Sequence, residues 1–296
     1  MERQFGWIKD KFDKQDYLHR RKFIKLPDVV KHSHLLTPVR DQGQVGSCVG
    51  FGIGINLNSV KVMLEIFKEW CSPTYIYNGA RYLEGTLPID MGCQPRDALE
   101  WTLDFGILLE HFWPYDPTMV DRNAPSSERI AQANRYKGFQ YWRAVDGVDG
   151  LCDALASGYF VSIGTPWFSE WRDAPCGRLA VPTVSSQVLA GHETCLYGYD
   201  RVEGIFNGVN SWSEDWGDKG HYLMPFEAID IFKARGGYDG HYITFTPEED
   251  MSPPPEPTPS PCPFGNGIAG VSEKMLNIVP SLAKRTGRFY VSYRNP

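Results

Sequence analysis

The sequence lacks several features that would place it in a common class. No window of about 18 apolar residues is present, so the sequence predicts no membrane-spanning helix. No Cys-x-x-Cys pair occurs among the seven cysteines, and their odd number argues against both a zinc ribbon and a complete disulfide framework. The net charge of −6 does not suggest a nucleic-acid-binding body. We therefore expect no metal or other cofactor, no membrane and no nucleic-acid partner.

The N-terminal stretch, residues 1–17, also lacks the apolar core of a signal peptide. We expect cytoplasmic synthesis with reduced cysteines. Association with a virus particle and export by a signal-less route are the two alternatives for its destination. With 296 residues, of which 42% are hydrophobic and 14% aromatic, the chain can form one large or two modest globular domains. We expect a monomer.

One stretch, residues 37–58, carries the first candidate for chemistry. Its sequence TPVRDQGQVGSCVGFGIGINLN runs from a strand-like start through a turn at 41–43 into a long apolar run. Cys48 falls at the first turn of the predicted helix, where the free N–H groups and the helix dipole favour a thiolate near neutral pH. The amide of Gln42 can point at the same place, and a nucleophile beside such a donor is how an oxyanion hole is built. The alternative is that Cys48 is a small core residue.

Two later segments supply partners for this cysteine. Residues 191–199 read GHETCLYGY, with His192 at the head of a strand-like run, and residues 207–217 read NGVNSWSEDWG, with Asn210 at the end of another. If the two strands are antiparallel neighbours, the two side chains lie together. His192 can then take a proton from Cys48 while the Asn210 amide orients the imidazole.

Three blocks resemble the papain-like cysteine peptidases. They are QGQVGSC, GHETCLYGYD and NSWSEDWGDKGHYLM, and the resemblance covers about residues 36–249. The order of Cys, His 144 positions later and Asn 18 further on also fits that family. The segment GWIKDKFDKQDY resembles the opening segment of bacterial and viral members. The resemblance implies an α+β fold with a helical half, an antiparallel β-barrel half and the active-site cleft between them.

The resemblance also implies an activity, which is hydrolysis of peptide bonds in a peptide or protein by an endopeptidase. Its acyl-enzyme would be a thioester on Cys48, with His192 as base and acid and Asn210 orienting the imidazole. Gln42 would donate to the oxyanion, and Trp212 would shield the His–Asn pair and border the substrate.

Four further residues are implied to contact substrate. Gly92 and Cys93, in the loop 90–93, would offer backbone groups to an extended peptide. Gly164 and Glu193 would border the pocket for the side chain two places before the cut. Gly164 leaves room there and Glu193 brings negative charge, so we expect the pocket to tolerate a basic side chain; the alternative is that Glu193 points into solvent.

The sequence departs from the family pattern near Cys48. Val49 stands where a Trp is usual, and Val45 replaces the cysteine of the family's usual disulfide, which cannot form here. Gly50, Gly52 and Gly54 each cost the predicted helix about 1 kcal/mol relative to Ala. We expect close packing of this helix against the other half of the molecule to compensate.

Periodicity and turn residues divide the chain into a peptidase domain and its flanking segments. The peptidase domain is predicted at 37–250, with a helical half at about 48–125 and a β half at about 126–250. Helices are predicted over 48–69, 74–85, 95–106 and 149–157, and strands over 135–145, 159–166, 192–199, 204–210, 219–224 and 241–246.

Three segments flank this domain. Residues 1–36 carry about +4 while the remainder carries about −10, so we predict a pro-like arm drawn to the cleft, with a loosely ordered arm as the alternative. Residues 251–263 are a stiff proline-rich linker. Residues 264–296 form a basic tail without an assigned role; docking on the body, docking on an unknown protein partner and disorder stay open.

Other functions remain open on the sequence alone. An acyl transferase or a peptidoglycan-directed amidase can use the same Cys–His pair, and a non-enzymatic module of a viral or phage assembly fits the proline-rich linker and basic tail. His221 and His241 are alternatives to His192 as the base, but hydrogen-bonded or surface roles suit them better.

Overall fold

The fold was analysed in a computed structural model, which describes residues 4–14, 16–22, 25–63, 69–118 and 123–245. The predicted linker and basic tail lie outside these residues. We call the described residues 4–14 and 16–22 the N-terminal arm.

Three helices come first, and their ends are set by local sequence. In the second helix, the Ser72 hydroxyl accepts the N–H of Tyr75 at 3.2 Å, Pro73 takes the first helical position, and Gly85 ends the helix in the left-handed region. Pro95 opens the third helix in the same way. In chain order the helices are α1 (Cys48–Met63), α2 (Pro73–Glu84), α3 (Pro95–Phe105), α4 (Ser127–Ala133), α5 (Gly147–Ala156) and α6 (Ala228–Ala234).

The second half is built on one antiparallel sheet. Its strands follow the order β2-β7-β3-β4-β5-β6, and β1 pairs with β4. The strands are β1 (Val29–Lys31), β2 (Phe139–Arg143), β3 (Val161–Phe168), β4 (Val188–Asp200), β5 (Ile205–Val209), β6 (His221–Pro225) and β7 (Asp239–Phe245). The predicted α+β, papain-like architecture is confirmed.

Helix α1 lies between two cores. One core joins α1 to α2 and α3, and a smaller one joins Ile55 of α1 to β4 and β5. Because both sides of α1 are covered, its first residues are held between the helical half and β4. The first core includes Val49, Ile53, Leu57, Ile76 and Leu99, and the second includes Ile55, Cys195, Tyr197 and Val209. A third core, between the sheet, α5 and α6, includes Leu151, Ile163, Phe168, Trp171 and Phe232.

The three glycines of α1 differ in what they pack against. A Cβ on Gly52 would come within 2.6 Å of Glu193 Cγ on β4, which confirms the expected close packing against the β half. A Cβ on Gly50 would come within 2.6 Å of the Pro73 carbonyl oxygen, so this glycine serves the contact with α2 instead. At Gly54 the nearest atom would be Ile76 Cδ1 at 3.7 Å, which is an ordinary contact.

Three elements were not predicted from the sequence. Helices α4 and α6 have seven residues each, and β1 has three. Strand β1 lies within the segment predicted as the arm, yet it extends the sheet at β4. The helix predicted over 48–69 is described as α1 up to Met63, and residues 64–68 of that prediction lie outside the described residues. No helix in the described part of the chain is long and apolar enough to cross a membrane.

Candidate active site

His192 and Asn210 form a hydrogen-bonded pair between two neighbouring strands of the sheet. His192 lies on β4, and Asn210 directly follows β5, its antiparallel neighbour. The distance from His192 Nε2 to Asn210 Oδ1 is 2.8 Å, and Oδ1 also accepts the N–H of Ser211 at 2.8 Å. Because Oδ1 is only an acceptor, Nε2 carries the hydrogen of a neutral imidazole. The strand arrangement expected from the sequence therefore brings the two side chains together.

Aromatic rings enclose this imidazole. Trp212 lies 4.6 Å from the His192 ring, centroid to centroid, and Trp167 meets it edge-on at 4.8 Å. Phe5 of the N-terminal arm packs edge-on against both His192 and Trp212, at 5.8 and 5.7 Å. Trp212 covers the pair as expected, whereas the contribution of Phe5 was not foreseen.

Cys48 is the first residue of α1 and is fully buried. Burial raises the pKa of its thiol to about 12; the backbone N–H groups of Glu193, Gly6 and Val49 lower that pKa but do not offset the burial. The thiolate expected at neutral pH is therefore not the form favoured in this covered site, because solvent is excluded from the sulfur. The contact with Glu193, the residue after His192, also places the thiol beside β4.

The Gln42 amide is fixed in one orientation. Its Oε1 accepts the Ser211 hydroxyl at 2.6 Å, and its Nε2 donates to the carbonyl oxygens of Val45 at 2.8 Å and Gln4 at 3.3 Å. The side chain is fully buried. Its N–H group therefore points at a peptide carbonyl of the arm beside Cys48.

The arm crosses the site as an extended strand between the two halves. Cys93 N donates to Gly6 O at 2.9 Å, and Ile8 N donates to Cys93 O at 3.1 Å, which forms a parallel bridge between Trp7 and Cys93. On the other side, Trp7 N donates to Gly191 O at 3.1 Å. The backbone of the loop at 92–93, which was predicted to bind an extended peptide, is thus occupied by the arm.

The Trp7 indole fills a pocket with two carboxyl groups. Glu193, Gly164 and Asp239 form one row across β4, β3 and β7, since Gly164 pairs with each of the other two. A Cβ on Gly164 would come within 2.0 Å of Trp7 Nε1 and 2.4 Å of Glu193 Oε2. Trp7 Nε1 donates to Asp239 Oδ2 at 3.0 Å. The missing side chain of Gly164 therefore makes the room that the indole occupies.

Glu193 is fully buried, so the alternative that it points into solvent is wrong. Neither carboxyl oxygen has a hydrogen-bond partner among the described residues. Burial raises the pKa of Glu193 well above its ordinary value; repulsion from Asp239 and Asp10 adds to the rise, and the nearby Ser162 hydroxyl opposes it.

Buried ion pairs anchor the arm beyond Trp7. Asp10 Oδ2 lies 3.1 Å from His241 Nε2, and Asp10 N donates to Asp239 Oδ2 at 2.9 Å. Burial would raise the pKa of Asp10, but the hydrogen bond and charge of His241, with smaller effects of Arg96, hold it below its ordinary value. His241 therefore has the buried, paired role that suited it better than catalysis.

A second group of ion pairs involves Asp16. Its carboxylate accepts from the Arg96 guanidinium through both oxygens and from Arg143 Nη1 at 3.0 Å. Arg143 Nη2 also donates to Asp239 Oδ1 at 2.7 Å. The contacts of Asp10, Asp16 and Asp239 could not be predicted, because each joins residues distant in sequence. The only signal was the presence of three aspartates, at 10, 13 and 16, within the aromatic arm segment.

The comparisons with known proteins agree with this geometry. The model of the papain family cysteine protease matches residues 26–230. The chain belongs to the papain family of cysteine proteases. Members of this family are hydrolases that act on peptide bonds, and the resemblance seen in the sequence is confirmed.

Several members of the papain family are similar to this chain. An uncharacterized peptidase C1-like protein of Acanthamoeba polyphaga mimivirus is 27% identical over 259 residues, 77% of this chain and 83% of that protein. Xylellain, a cysteine protease from Xylella fastidiosa, superposes with a TM-score of 0.74 at 26% identity, covering 83% of this chain and 99% of that one. Digestive procathepsin L 3 of Tenebrio molitor superposes with a TM-score of 0.64 at 17% identity, covering 82% and 76% of the two chains, and supports the fold alone.

Proposed function

We propose that this papain-family protein is an endopeptidase that works through a thioester on Cys48. The hydrogen bond between His192 Nε2 and Asn210 Oδ1 carries the proposal. It leaves Nδ1 as the basic nitrogen of the imidazole, which can take the thiol proton. The sulfur attacks the peptide carbonyl carbon, and the oxygen becomes an anion that the Gln42 amide stabilises.

The remaining steps use the same groups. The tetrahedral intermediate collapses, the C–N bond breaks, and His192 returns its proton to the leaving amine. Water then attacks the thioester while His192 takes a proton from it, and the acid product leaves with Cys48 restored. Asn210 holds the ring orientation throughout, and Trp212 covers the pair.

The direct experiment removes each reacting group. Cys48→Ala and His192→Ala should abolish hydrolysis of a fluorogenic peptide by the folded full-length protein, whereas Cys176→Ala, at an exposed cysteine, should leave the rate unchanged. Hydrolysis retained in Cys48→Ala would remove this residue from the mechanism. Transfer of the acyl group to an added amine without net hydrolysis would favour a transferase instead.

We also propose that the arm keeps the full-length protein partly latent. The Trp7 N–H donates to the Gly191 carbonyl, and Gly6 and Ile8 bond the N–H and the carbonyl of Cys93. The Gln4 carbonyl accepts a hydrogen bond from the Gln42 amide. Peptide substrate needs these same backbone groups, so it binds only when the arm moves away. The N-terminal position and basic charge of the arm led to the same prediction from the sequence.

The pocket of Trp7 gives the proposed substrate preference. When the arm leaves, Asp239 Oδ2 loses the N–H of both Trp7 and Asp10, and Glu193 faces the vacated space. A substrate side chain that ends in N–H groups restores these bonds, and a positive charge also compensates the two carboxyl groups. The pocket should therefore accept arginine or lysine two places before the cut in preference to leucine.

This preference is measured as a ratio. The kcat/KM for a peptide with arginine at that place, divided by the value for its leucine analogue, should fall about tenfold in Glu193→Gln, because a bound guanidinium favours the ionised carboxylate and glutamine cannot carry that charge. Arm opening affects both peptides equally and cancels. Glu203→Gln, at an exposed turn, is the matched control. A ratio below one in the unaltered protein would overturn the preference.

A further inference from the structure

The turn that leads into α1 rests on the carboxylate of Asp90. Gly46 N lies 3.0 Å from Asp90 Oδ2 and 3.2 Å from Oδ1, and Gly46 stands two residues before Cys48. A backbone N–H that donates to a carboxylate makes a stronger bond than one that donates to a neutral oxygen. The position of the turn, and with it the start of α1, is therefore tied to Asp90.

Asp90 is held in turn by α2. The Tyr77 hydroxyl donates to Asp90 Oδ1 and accepts the N–H of Gly92 at 3.1 Å. Tyr77 is fully buried, so packing in the helical half fixes the position of its ring. One series of hydrogen bonds thus runs from Gly46 through Asp90 and Tyr77 to Gly92.

The two ends of this series of hydrogen bonds lie at the nucleophile and at the backbone that binds the peptide. These two parts of the site must be placed correctly relative to each other. Gly46 belongs to the turn that carries Cys48. Gly92 precedes Cys93, whose N–H and carbonyl bind the extended arm. Neither glycine leaves room for a side chain: a Cβ on Gly46 would lie 3.0 Å from Asp90 Oδ1, and one on Gly92 would lie 2.2 Å from the Gly6 oxygen.

We infer that Asp90 is a positioning residue, which sets the place of the Cys48 sulfur relative to a peptide bound along Cys93. The inference rests on the proposed peptidase function. Val45 stands where the family resemblance implies a disulfide cysteine, and the hydrogen bonds of Asp90 to Gly46 support the turn in place of that disulfide, together with the bond from Gln42 to the Val45 carbonyl. A shift of about 1 Å between nucleophile and bound peptide can lower the rate about 10²-fold.

The test compares two reagents that react with Cys48 in the full-length protein. A peptidyl epoxide must align its backbone along Cys93, whereas iodoacetamide needs only the thiol. Since the arm must open for both, the ratio of their second-order rate constants at Cys48, measured by mass spectrometry, removes the effect of the arm. In Asp90→Ala this ratio should fall about 10²-fold, while the iodoacetamide rate constant itself stays within about threefold.

Two variants separate positioning from other roles. Asp90→Asn keeps an oxygen that can accept the Gly46 N–H, so its ratio should lie between those of the unaltered protein and Asp90→Ala. Asp200→Ala is the matched control, because Asp200 also accepts two backbone N–H groups, from Val202 and Glu203, at a turn outside the site. It should lower the melting temperature and leave the ratio unchanged.

The outcomes are distinct. An unchanged ratio in folded Asp90→Ala overturns the inference, and so does an equal fall in Asp200→Ala. A rise in the iodoacetamide rate constant of the same size in Asp90→Ala and Asp90→Asn would assign Asp90 an electrostatic effect on the thiol instead, because both variants remove a negative charge that disfavours the thiolate. Because the ratio requires no turnover, a protein that reacts with the epoxide but hydrolyses no peptide contradicts the proposed function alone.

Discussion

At the scale of single residues, Gln42 shows how completely one side chain can be oriented. Ser211 holds its oxygen, and its N–H₂ group points at the carbonyls of Val45 and Gln4. Gln42→Ala should lower kcat/KM about 10²–10³-fold, the usual effect of losing one oxyanion donor. The comparison is with Gln132→Ala, at a half-buried glutamine of α4. An unchanged rate in folded Gln42→Ala would mean that another donor stabilises the oxyanion.

Glu193 makes stability depend on pH. Its pKa in the folded protein lies well above the ordinary 4.5, so the folded state holds this proton more tightly than the unfolded state does. Stability therefore falls as pH rises from about 4.5 through the folded pKa, by about 1.4 kcal/mol per unit of pKa rise. Glu193→Gln has no such proton to lose.

The difference in melting temperature, Glu193→Gln minus the unaltered protein, should thus increase between pH 4.5 and pH 8. Glu203→Gln, at an exposed glutamate, should show a constant difference over the same range. If the melting temperatures of Glu193→Gln and the unaltered protein change in parallel, Glu193 is not the source of the pH dependence.

The sequence could identify site residues that belong to continuous blocks. Cys48, His192 and Asn210 were predicted because each lies in a block that resembles the papain family, and the structure brings His192 and Asn210 into contact. Asp239 and Asp90 were not found, because their roles depend on pairing across β3 and β7 and on a contact between the turn and α2. Contacts that depend on strand register or on tertiary packing leave no local pattern in the sequence.

At the scale of elements, α1 offers a matched pair of glycines. Alanine at Gly54 would make only ordinary contacts, so Gly54→Ala should stabilise the protein by about 1 kcal/mol through helix propensity. Alanine at Gly52 would lie 2.6 Å from Glu193 Cγ and 3.2 Å from the Thr194 oxygen. Gly52→Ala should therefore destabilise by about 1–3 kcal/mol despite the same gain in propensity. Urea unfolding of both variants measures the difference; stabilisation by Gly52→Ala would contradict the close packing.

The elements that sequence patterns predicted are the long ones with clear ends. Helices α2 and α3 begin at Pro73 and Pro95, and the predicted strands overlap β2 to β7. The short elements escaped prediction because three to seven residues give too few repeats for a period. Strand β1 has two exposed residues and one half-buried, so no alternating apolar face marks it.

At the scale of the whole molecule, the arm joins the two halves through charge as well as through its backbone. Asp10 and Asp16 come from the arm, whereas His241, Arg143 and Arg96 come from the body. The arm has a net positive charge, yet two of its acids make these buried contacts, beside the buried contact of His19 with Asp153. The overall charge difference that suggested attraction therefore does not describe the contacts that hold the arm.

This arrangement allows arm closure to be weakened without touching the reacting groups. Asp16 is almost fully buried and contacts both Arg96 and Arg143, so Asp16→Ala leaves two buried guanidinium groups without it. Losing one partner of a buried pair costs about 3–5 kcal/mol. If even part of this free energy belongs to closure of the arm, hydrolysis of a small fluorogenic peptide by full-length Asp16→Ala should be at least about tenfold faster.

Arg21→Ala removes the exposed arm pair with Asp149, worth about 0–1 kcal/mol, and should leave the rate within about threefold. Equal rates in the unaltered protein and a folded Asp16→Ala, with the arm intact by mass spectrometry, would contradict latency and make the arm a structural brace.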